Sequence, residues 1–170
     1  MHRRLLLSLL LTLLLSSCVV TNSAKSNVSV AMAVEEYFSV YSKRNDFERF
    51  MSFYAEDAAF EDIVYGNTFK NKIQIKEFLN WNKGKFELPN GTRALTVTKQ
   101  VIDNNIAVTE GYFHQFSYNG EKLGPWLFVI IQEFNENKKI ISQTDWINYT
   151  PRKNFFGGKN MNATILEQSL

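Results

Sequence analysis

The chain has 170 residues, 45% of them hydrophobic and 21% charged, with 19 basic and 17 acidic side chains. This length fits one domain with a real core, and the near-neutral balance excludes a strongly basic nucleic-acid-binding surface. The single cysteine excludes an internal disulfide framework. Beyond His2 there is one further histidine, and the carboxylates are scattered, so we expect neither a metal nor a cofactor.

Residues 1–17 are predicted to be a signal peptide. His2-Arg3-Arg4 is a short basic region, and the apolar run from Leu5 to Leu15 is too short to span a bilayer. The segment Leu15-Ser16-Ser17-Cys18 resembles the lipobox of bacterial lipoproteins, whose cysteine is acylated after cleavage. The resemblance implies a lipid anchor, such as palmitate, at Cys18. The alternative is a secretory signal with an incidental thiol.

Further expectations depend on the lipobox. Removing Arg3 and Arg4 takes the basic count from 19 to 17, so the mature chain is formally neutral. The membrane contact is therefore expected through the lipid alone. Because Val19 rather than an aspartate follows the cysteine, the resemblance favours the outer membrane, facing the periplasm. Residues 18–28 are predicted to be a tether, residues 29–150 the domain, and residues 151–170 a C-terminal extension.

Three helices are predicted at the start of the domain. Apolar residues from Val30 to Tyr41 recur at helical spacing and predict a helix over Ser29–Ser42. A second helix, Phe47–Tyr54, follows the capping pair Asn45-Asp46, and a third covers Asn71–Asn82. Between the second and third, an acidic break and a short strand ending at Asp62 are expected.

Beyond Arg93 the apolar residues recur with a period of two instead of the helical period. Strands are predicted over 94–102, 106–118, 126–134 and 139–149, separated by short turn sequences rich in Asn. Three hairpins in succession give a four-stranded antiparallel meander. Helices followed by strands indicate an α+β fold with the helices packed on one face of a curved sheet.

These elements resemble the nuclear transport factor 2-like superfamily. The segment Tyr54-Ala55-Glu56-Asp57-Ala58, the strand end Glu61-Asp62 and the β-meander carry the resemblance, which spans about Val30 to Tyr149. The chain looks most like the SnoaL-like group, which includes polyketide cyclases and has ketosteroid isomerase and limonene epoxide hydrolase as relatives. The resemblance implies a cone-shaped fold that encloses a pocket, with Asp62 at its base.

The resemblance also assigns candidate catalytic residues. Asp62 matches the general base of ketosteroid isomerases, but Phe38 and Ile130 occupy the positions of their oxyanion-hole donors, which makes steroid isomerisation unsupported. Asp145 matches an aspartate of limonene epoxide hydrolase, yet no arginine lies between Arg93 and Arg152 to complete that triad.

Strand alternation, with faces taken from the family alignment, predicts the pocket lining. The predicted inward residues are mostly aromatic or amide side chains: Tyr112, His114, Phe116, Trp126, Phe128, Ile130, Gln132, Gln143, Asp145 and Ile147. Tyr37, Tyr41 and Trp81 are expected to reach the pocket from the helices. Such a lining is typical of a site for a small apolar molecule.

Two functional hypotheses follow. In the first, Asp62 or Asp145 is a general base, His114 is its acid or base partner, and the site catalyses proton transfer of isomerase, cyclase or dehydratase type. In the second, the protein is a non-catalytic lipoprotein of the cell envelope that binds a small ligand or a protein partner. The structural alternatives are a turn acceptor for Asp62, a structural hydrogen bond for Asp145 and a rim histidine for His114.

A second apolar face of the sheet is also predicted. Its residues are Phe113, Gln115, Leu127, Val129, Ile131 and Trp146. Many relatives dimerise through the outer face of the sheet, so the resemblance implies a homodimer. A second apolar face is more than a solvated antiparallel sheet needs, which agrees with this expectation.

Overall fold

The computed structural model describes residues 18–89, 93–149 and 165. The helices of the described residues are α1 (Cys18–Lys43), α2 (Phe47–Met51) and α3 (Lys72–Leu79). The strands are β1 (Tyr54–Asp62), β2 (Asn67–Phe69), β3 (Phe86–Glu87), β4 (Leu95–Asp103), β5 (Ile106–Phe113), β6 (Phe116–Tyr118), β7 (Glu121–Leu123), β8 (Trp126–Phe134) and β9 (Ile140–Ile147). The predicted signal peptide 1–17 and, apart from Ile165, the predicted extension 151–170 lie outside the described residues. No helix in the described ranges has the length and apolar character needed to cross a membrane.

The predicted helices form, with local caps that explain their ends. The side chain of Asp46 accepts a hydrogen bond of 2.9 Å from the backbone N–H of Arg49 at the start of α2. Asn71 caps α3 in the same way, and Asn80 ends α3 in the left-handed conformation with φ 33°. The second and third helices are therefore shorter than predicted, by their last turns.

The first helix begins earlier than predicted. Its backbone is helical from Cys18, whereas a tether was predicted over residues 18–28. The predicted helix start at Ser29 was wrong, because polar composition does not stop a helix. No glycine or proline interrupts residues 18–43, and extending an existing helix is far easier than starting one.

The main sheet has six strands in the order β2-β1-β9-β8-β5-β4. The four-stranded meander is confirmed, since β4–β5, β5–β8 and β8–β9 all pair in antiparallel fashion. The sheet is mixed rather than purely antiparallel, because β1 pairs with β9 in parallel. β6 and β7 leave the main sheet as a hairpin that pairs with β3. Its turn residues Asn119 and Gly120 have φ of 52° and 87°, the conformation of a tight hairpin turn.

The region around Tyr54 differs from the prediction of a helix end followed by an acidic break. Tyr54 instead begins β1, and the pairing of β1 with β9 shifts register between Tyr54 and Ala59. This irregularity leaves Glu56 and Asp57 exposed inside a continuous strand. The acidic pair thus marks an irregular stretch of strand, which local composition alone cannot distinguish from a loop.

The core lies between α1 and the concave face of the main sheet. Phe38 stacks on Phe128 with ring centroids 6.1 Å apart, and Tyr41 meets the edge of Phe113 at 5.6 Å. The helices therefore cover one face of the sheet, which is the predicted α+β arrangement. The strand residues that point to this side are the ones that build the site.

Candidate functional site

A cavity of about 330 Å³ lies between the end of α1, the segment after α3 and the concave face of the sheet. Eight aromatic side chains line it, namely Tyr41, Phe78, Trp81, Phe113, Phe116, Tyr118, Trp126 and Tyr149. Arg44, Leu79, Asn80, Leu123 and Ile147 complete the lining. We call this site the aromatic cavity. Its size and composition are those of a small-molecule site.

Arg44 is the one charged residue among the described residues that line the aromatic cavity. It follows the last residue of α1 in the left-handed conformation, with φ 48°, and its N–H donates to the carbonyl of Val40 at 3.2 Å. The guanidinium carbon lies 4.9 to 5.7 Å from five ring centroids, those of Tyr41, Trp81, Phe86, Phe113 and Phe116. Burial in these rings lowers the pKa of Arg44.

Three residues that line the aromatic cavity each have one buried polar side-chain atom without a hydrogen-bond partner in the described part of the chain. These atoms are Nε of Arg44, Nε1 of Trp81 and Oδ1 of Asn80. Only four such side-chain atoms occur in the whole described part of the chain. Buried polar atoms are normally paired, because leaving one unpaired costs about 1–3 kcal/mol. The residues that line the aromatic cavity therefore include two donors and one acceptor without partners.

A second group of buried polar residues joins the first helix to the sheet. We call it the inner polar network: Tyr37, Tyr54, Gln132, Gln143 and Asp145. The amide oxygen of Gln143 accepts from the hydroxyls of Tyr37 and Tyr54 at 3.2 and 2.9 Å, and from the amide of Gln132 at 2.9 Å. Its own amide nitrogen donates to Oδ1 of Asp145 at 2.9 Å. These bonds pair both hydroxyls, the amide of Gln143 and one oxygen of Asp145, whereas Oε1 of Gln132 has no partner among the described residues.

Burial raises the pKa of the Asp145 carboxyl from 3.8 to about 7, while the hydrogen bond from Gln143 opposes this rise and the nearby charge of Asp62 adds to it. Burial likewise raises the pKa values of Tyr41 and Tyr149, two phenols of the aromatic cavity, and the carboxyl of Asp145 contributes to both shifts. Asp145 is therefore close to the aromatic cavity, although it does not line it.

Asp62 is the register partner of Asp145 on the neighbouring strand and is 2% exposed. One carboxylate oxygen accepts from the backbone N–H groups of Val64 and Tyr65 at 3.2 and 3.4 Å. The other accepts from the amide of Asn67 at 3.3 Å. Asp62 thus holds the turn between β1 and β2, which is the structural alternative that the sequence offered for it.

His114 and Tyr112 point to the opposite side of the sheet, so their predicted inward orientation was wrong. Gly111 and Phe113 face the core, and Tyr112 lies between them on the convex face. His114 Nε2 is 2.8 Å from the hydroxyl of Thr96, and its ring contacts Tyr112. Partial burial lowers the pKa of His114. The predicted pair of Asp62 and His114 is therefore not assembled.

The physical reason is a break in the strand. Residues 114 and 115 separate β5 from β6, and the alternation restarts there, so Phe113 and Phe116 both face inward although three positions separate them. The prediction assumed unbroken alternation from 106 to 118. It placed Phe116 correctly and put Phe113 wrongly on the outer face.

The remaining predicted pocket residues divide into two groups. Tyr41, Trp81, Phe116, Trp126 and Ile147 line the aromatic cavity. Tyr37, Phe128, Gln132 and Gln143 are buried in the core and in the inner polar network instead. Cys18 contributes only its backbone to the described structure. Among the described residues, no cluster of three or more His, Cys, Asp or Glu side chains could hold a metal ion.

Sequence reasoning missed Arg44 and Asn80. Both follow a helix and adopt positive φ, a conformation in which glycine or asparagine is usual, so an arginine at such a position is an unusual choice. That signal becomes visible only when the end of the helix is known to within one residue.

A larger cleft of about 490 Å³ between α1 and β4 has Glu35, Lys43 and Arg93 among its lining residues and contains none of the unpaired buried atoms.

No family model matches the sequence, and no curated protein matches it. Solved structures do. A candidate SnoaL-like polyketide cyclase from Shewanella putrefaciens CN-32 matches with a TM-score of 0.59 at 15% identity, over 71% of this chain and 90% of that one. An LEH-like epoxide hydrolase from M. tuberculosis matches with a TM-score of 0.56 at 13% identity, over 88% of this chain and 99% of the other.

An NTF2-like protein of unknown function from Burkholderia xenovorans LB400 matches with a TM-score of 0.54 at 19% identity, over 75% of this chain and 88% of that chain. The chain has the nuclear transport factor 2-like fold. The predicted fold class is thereby confirmed. At these identities the likeness concerns the fold alone, because the nuclear transport factor 2-like fold carries different functions on one scaffold.

Proposed function

We propose that this chain binds a small, largely apolar molecule in the aromatic cavity. The observation that carries the proposal is the coincidence of an aromatic lining with three buried polar atoms that have no partner. An aromatic cluster that served only as core would be close-packed and would leave no volume of about 330 Å³. Binding is favoured over proton transfer between Asp62 and His114, because those two side chains lie on different faces of the sheet.

The experiment uses 2-naphthamide, a neutral two-ring probe, and isothermal titration calorimetry. We expect saturable binding to one site. Replacing Leu123, which lines the cavity, by Trp should fill the space and abolish binding. Val101, which is 54% exposed on the convex face, provides the matched control, and Val101→Trp should bind the probe as the unmodified chain does. Equal affinities of Leu123→Trp and Val101→Trp for the probe contradict the proposal. So does the absence of saturable binding to the unmodified chain.

A second candidate function is proton transfer at Asp145. The supporting observation is a buried carboxyl whose pKa is raised to about 7. Its charge also contributes to the raised pKa values of the Tyr41 and Tyr149 phenols. A general base works best when its pKa is near the operating pH. The test is deuterium exchange at the α-carbon of 1-tetralone, followed by NMR. Exchange should exceed the buffer rate and disappear in Asp145→Asn; buffer-level exchange with the unmodified protein excludes this function for the probe.

We also propose that the chain is a lipoprotein of the cell envelope, anchored through Cys18 and facing the periplasm from the outer membrane. Support comes from the basic residues, the apolar run and the lipobox-like segment before Cys18. The test is incorporation of an alkyne-labelled palmitate in bacterial cells, followed by membrane fractionation. Cys18→Ser should abolish both the label and the membrane association; a labelled Cys18→Ser variant contradicts the proposed anchor.

A further inference from the structure

Arg44 is a partly buried cation, and no carboxylate of the described residues forms an ion pair with it. The ion pairs of the described residues join other side chains, such as Arg49 with Glu36 and Lys76 with Glu48, and none includes Arg44. The polar group beside its guanidinium is the phenol of Tyr41. Burial raises the pKa of that phenol, so at neutral pH it is uncharged. An unpaired buried charge is destabilising, and ring faces compensate for it only in part.

The residues around Arg44 are suited to binding an anion. The described residues that line the aromatic cavity include no aspartate or glutamate, so neither Asp62 nor Asp145 is among them. Trp81 Nε1 adds a second unpaired donor to the unpaired Nε of Arg44. A carboxylate accepts hydrogen bonds from several N–H groups at once, and charge-assisted bonds of this kind are among the strongest available.

We infer that the aromatic cavity selects a small ring compound that carries one carboxylate, with the carboxylate bound at Arg44 and Trp81 and the rings packed among the aromatic side chains. The inference rests on the proposed function and narrows it from an apolar molecule to an organic monoanion. The acceptor Oδ1 of Asn80 suits a hydroxyl on the ring body. Arginine is the residue suited to this task, because its planar guanidinium matches the geometry of a carboxylate.

The experiment compares 2-naphthoate with 2-naphthamide, which has nearly the same shape without the charge. Both are titrated calorimetrically into the full chain. We expect 2-naphthoate to bind at least about tenfold more tightly, which is the size of one charge-assisted hydrogen bond. Arg44→Gln should reduce that preference to within about twofold, whatever its effect on the affinity for 2-naphthamide. Arg49→Gln, which removes an exposed arginine, is the matched control and should keep the preference.

The outcomes separate the inference from the proposed function. Saturable binding of 2-naphthamide with no preference for 2-naphthoate overturns the inference and leaves the proposed function standing. A preference that survives in Arg44→Gln also overturns it, because another group would then hold the carboxylate. Binding of neither probe overturns both. If circular dichroism shows that Arg44→Gln does not fold, Trp81→Phe removes one donor and keeps the ring, and an unchanged preference in Trp81→Phe counts against the inference.

Discussion

The buried carboxyl of Asp145 should make the protein less stable as the pH rises. Its pKa is raised from 3.8 to about 7 on folding, because burial disfavours the charged form. Below pH 3.8 the carboxyl is protonated in both states, and the folded state bears no penalty. As the pH rises towards 7 the unfolded chain releases its proton first, so the free energy of unfolding falls. Each pKa unit is worth about 1.4 kcal/mol, so the loss approaches about 4 kcal/mol above pH 7.

Asp145→Asn removes this titration while keeping the size of the side chain and an oxygen to accept from Gln143. We expect the variant to resemble the unmodified protein at about pH 4 and to exceed its stability by up to about 4 kcal/mol at about pH 8.5. Urea unfolding followed by tryptophan fluorescence measures this, as a rise in the midpoint of more than about 1 M. Asp57→Asn, at an exposed position on β1, is the control and should follow the unmodified pH profile. Parallel profiles for the unmodified protein and Asp145→Asn would refute the reasoning.

Two further predictions concern the sheet. Gly111→Ala should lower the free energy of unfolding by about 1–3 kcal/mol in urea, because the added Cβ would lie 2.3 Å from the carbonyl oxygen of Thr96 and 2.6 Å from the ring of Phe128; an unchanged midpoint would show that the strands move apart easily. Trp146→Glu should convert the proposed homodimer to a monomer in sedimentation velocity, since Trp146 is 42% exposed on the convex face. Ile73→Glu, at a 69% exposed position on α3, should leave the mass unchanged, and a monomeric unmodified protein would contradict the dimer.

Much of the fold is predictable from the sequence because its signals are local. The Asn-rich turns fix the hairpins, and Asp46 and Asn71 fix two helix starts through single side-chain hydrogen bonds. The length of β1 is not a local property. β1 extends back to Tyr54 because β9, which lies more than 80 residues further along the chain, pairs with it.

The site is less predictable than the fold, because a shift of one residue along a strand moves each side chain to the other face of the sheet. One break at residues 114 and 115 moves His114 and Tyr112 to the convex face and brings Phe113 into the aromatic cavity. Arg44 and Asn80 reach the cavity through backbone conformations at helix ends, which periodicity does not encode. Aromatic residues such as Trp81 and Trp126 were found because large apolar side chains are driven inward wherever the chain places them.

The main sheet can be completed only after β1 has paired in parallel with β9. β9 lies between β1 and β8, so the first and last strands of the main sheet to be synthesised are direct neighbours. Until residues 140–147 pair, the β1–β2 hairpin has no partner on its inner edge, and one edge of the meander is open. Closing this long-range contact is slow compared with forming the hairpins. A chain in which β9 has not yet paired therefore has two unpaired strand edges, which is the state most open to aggregation.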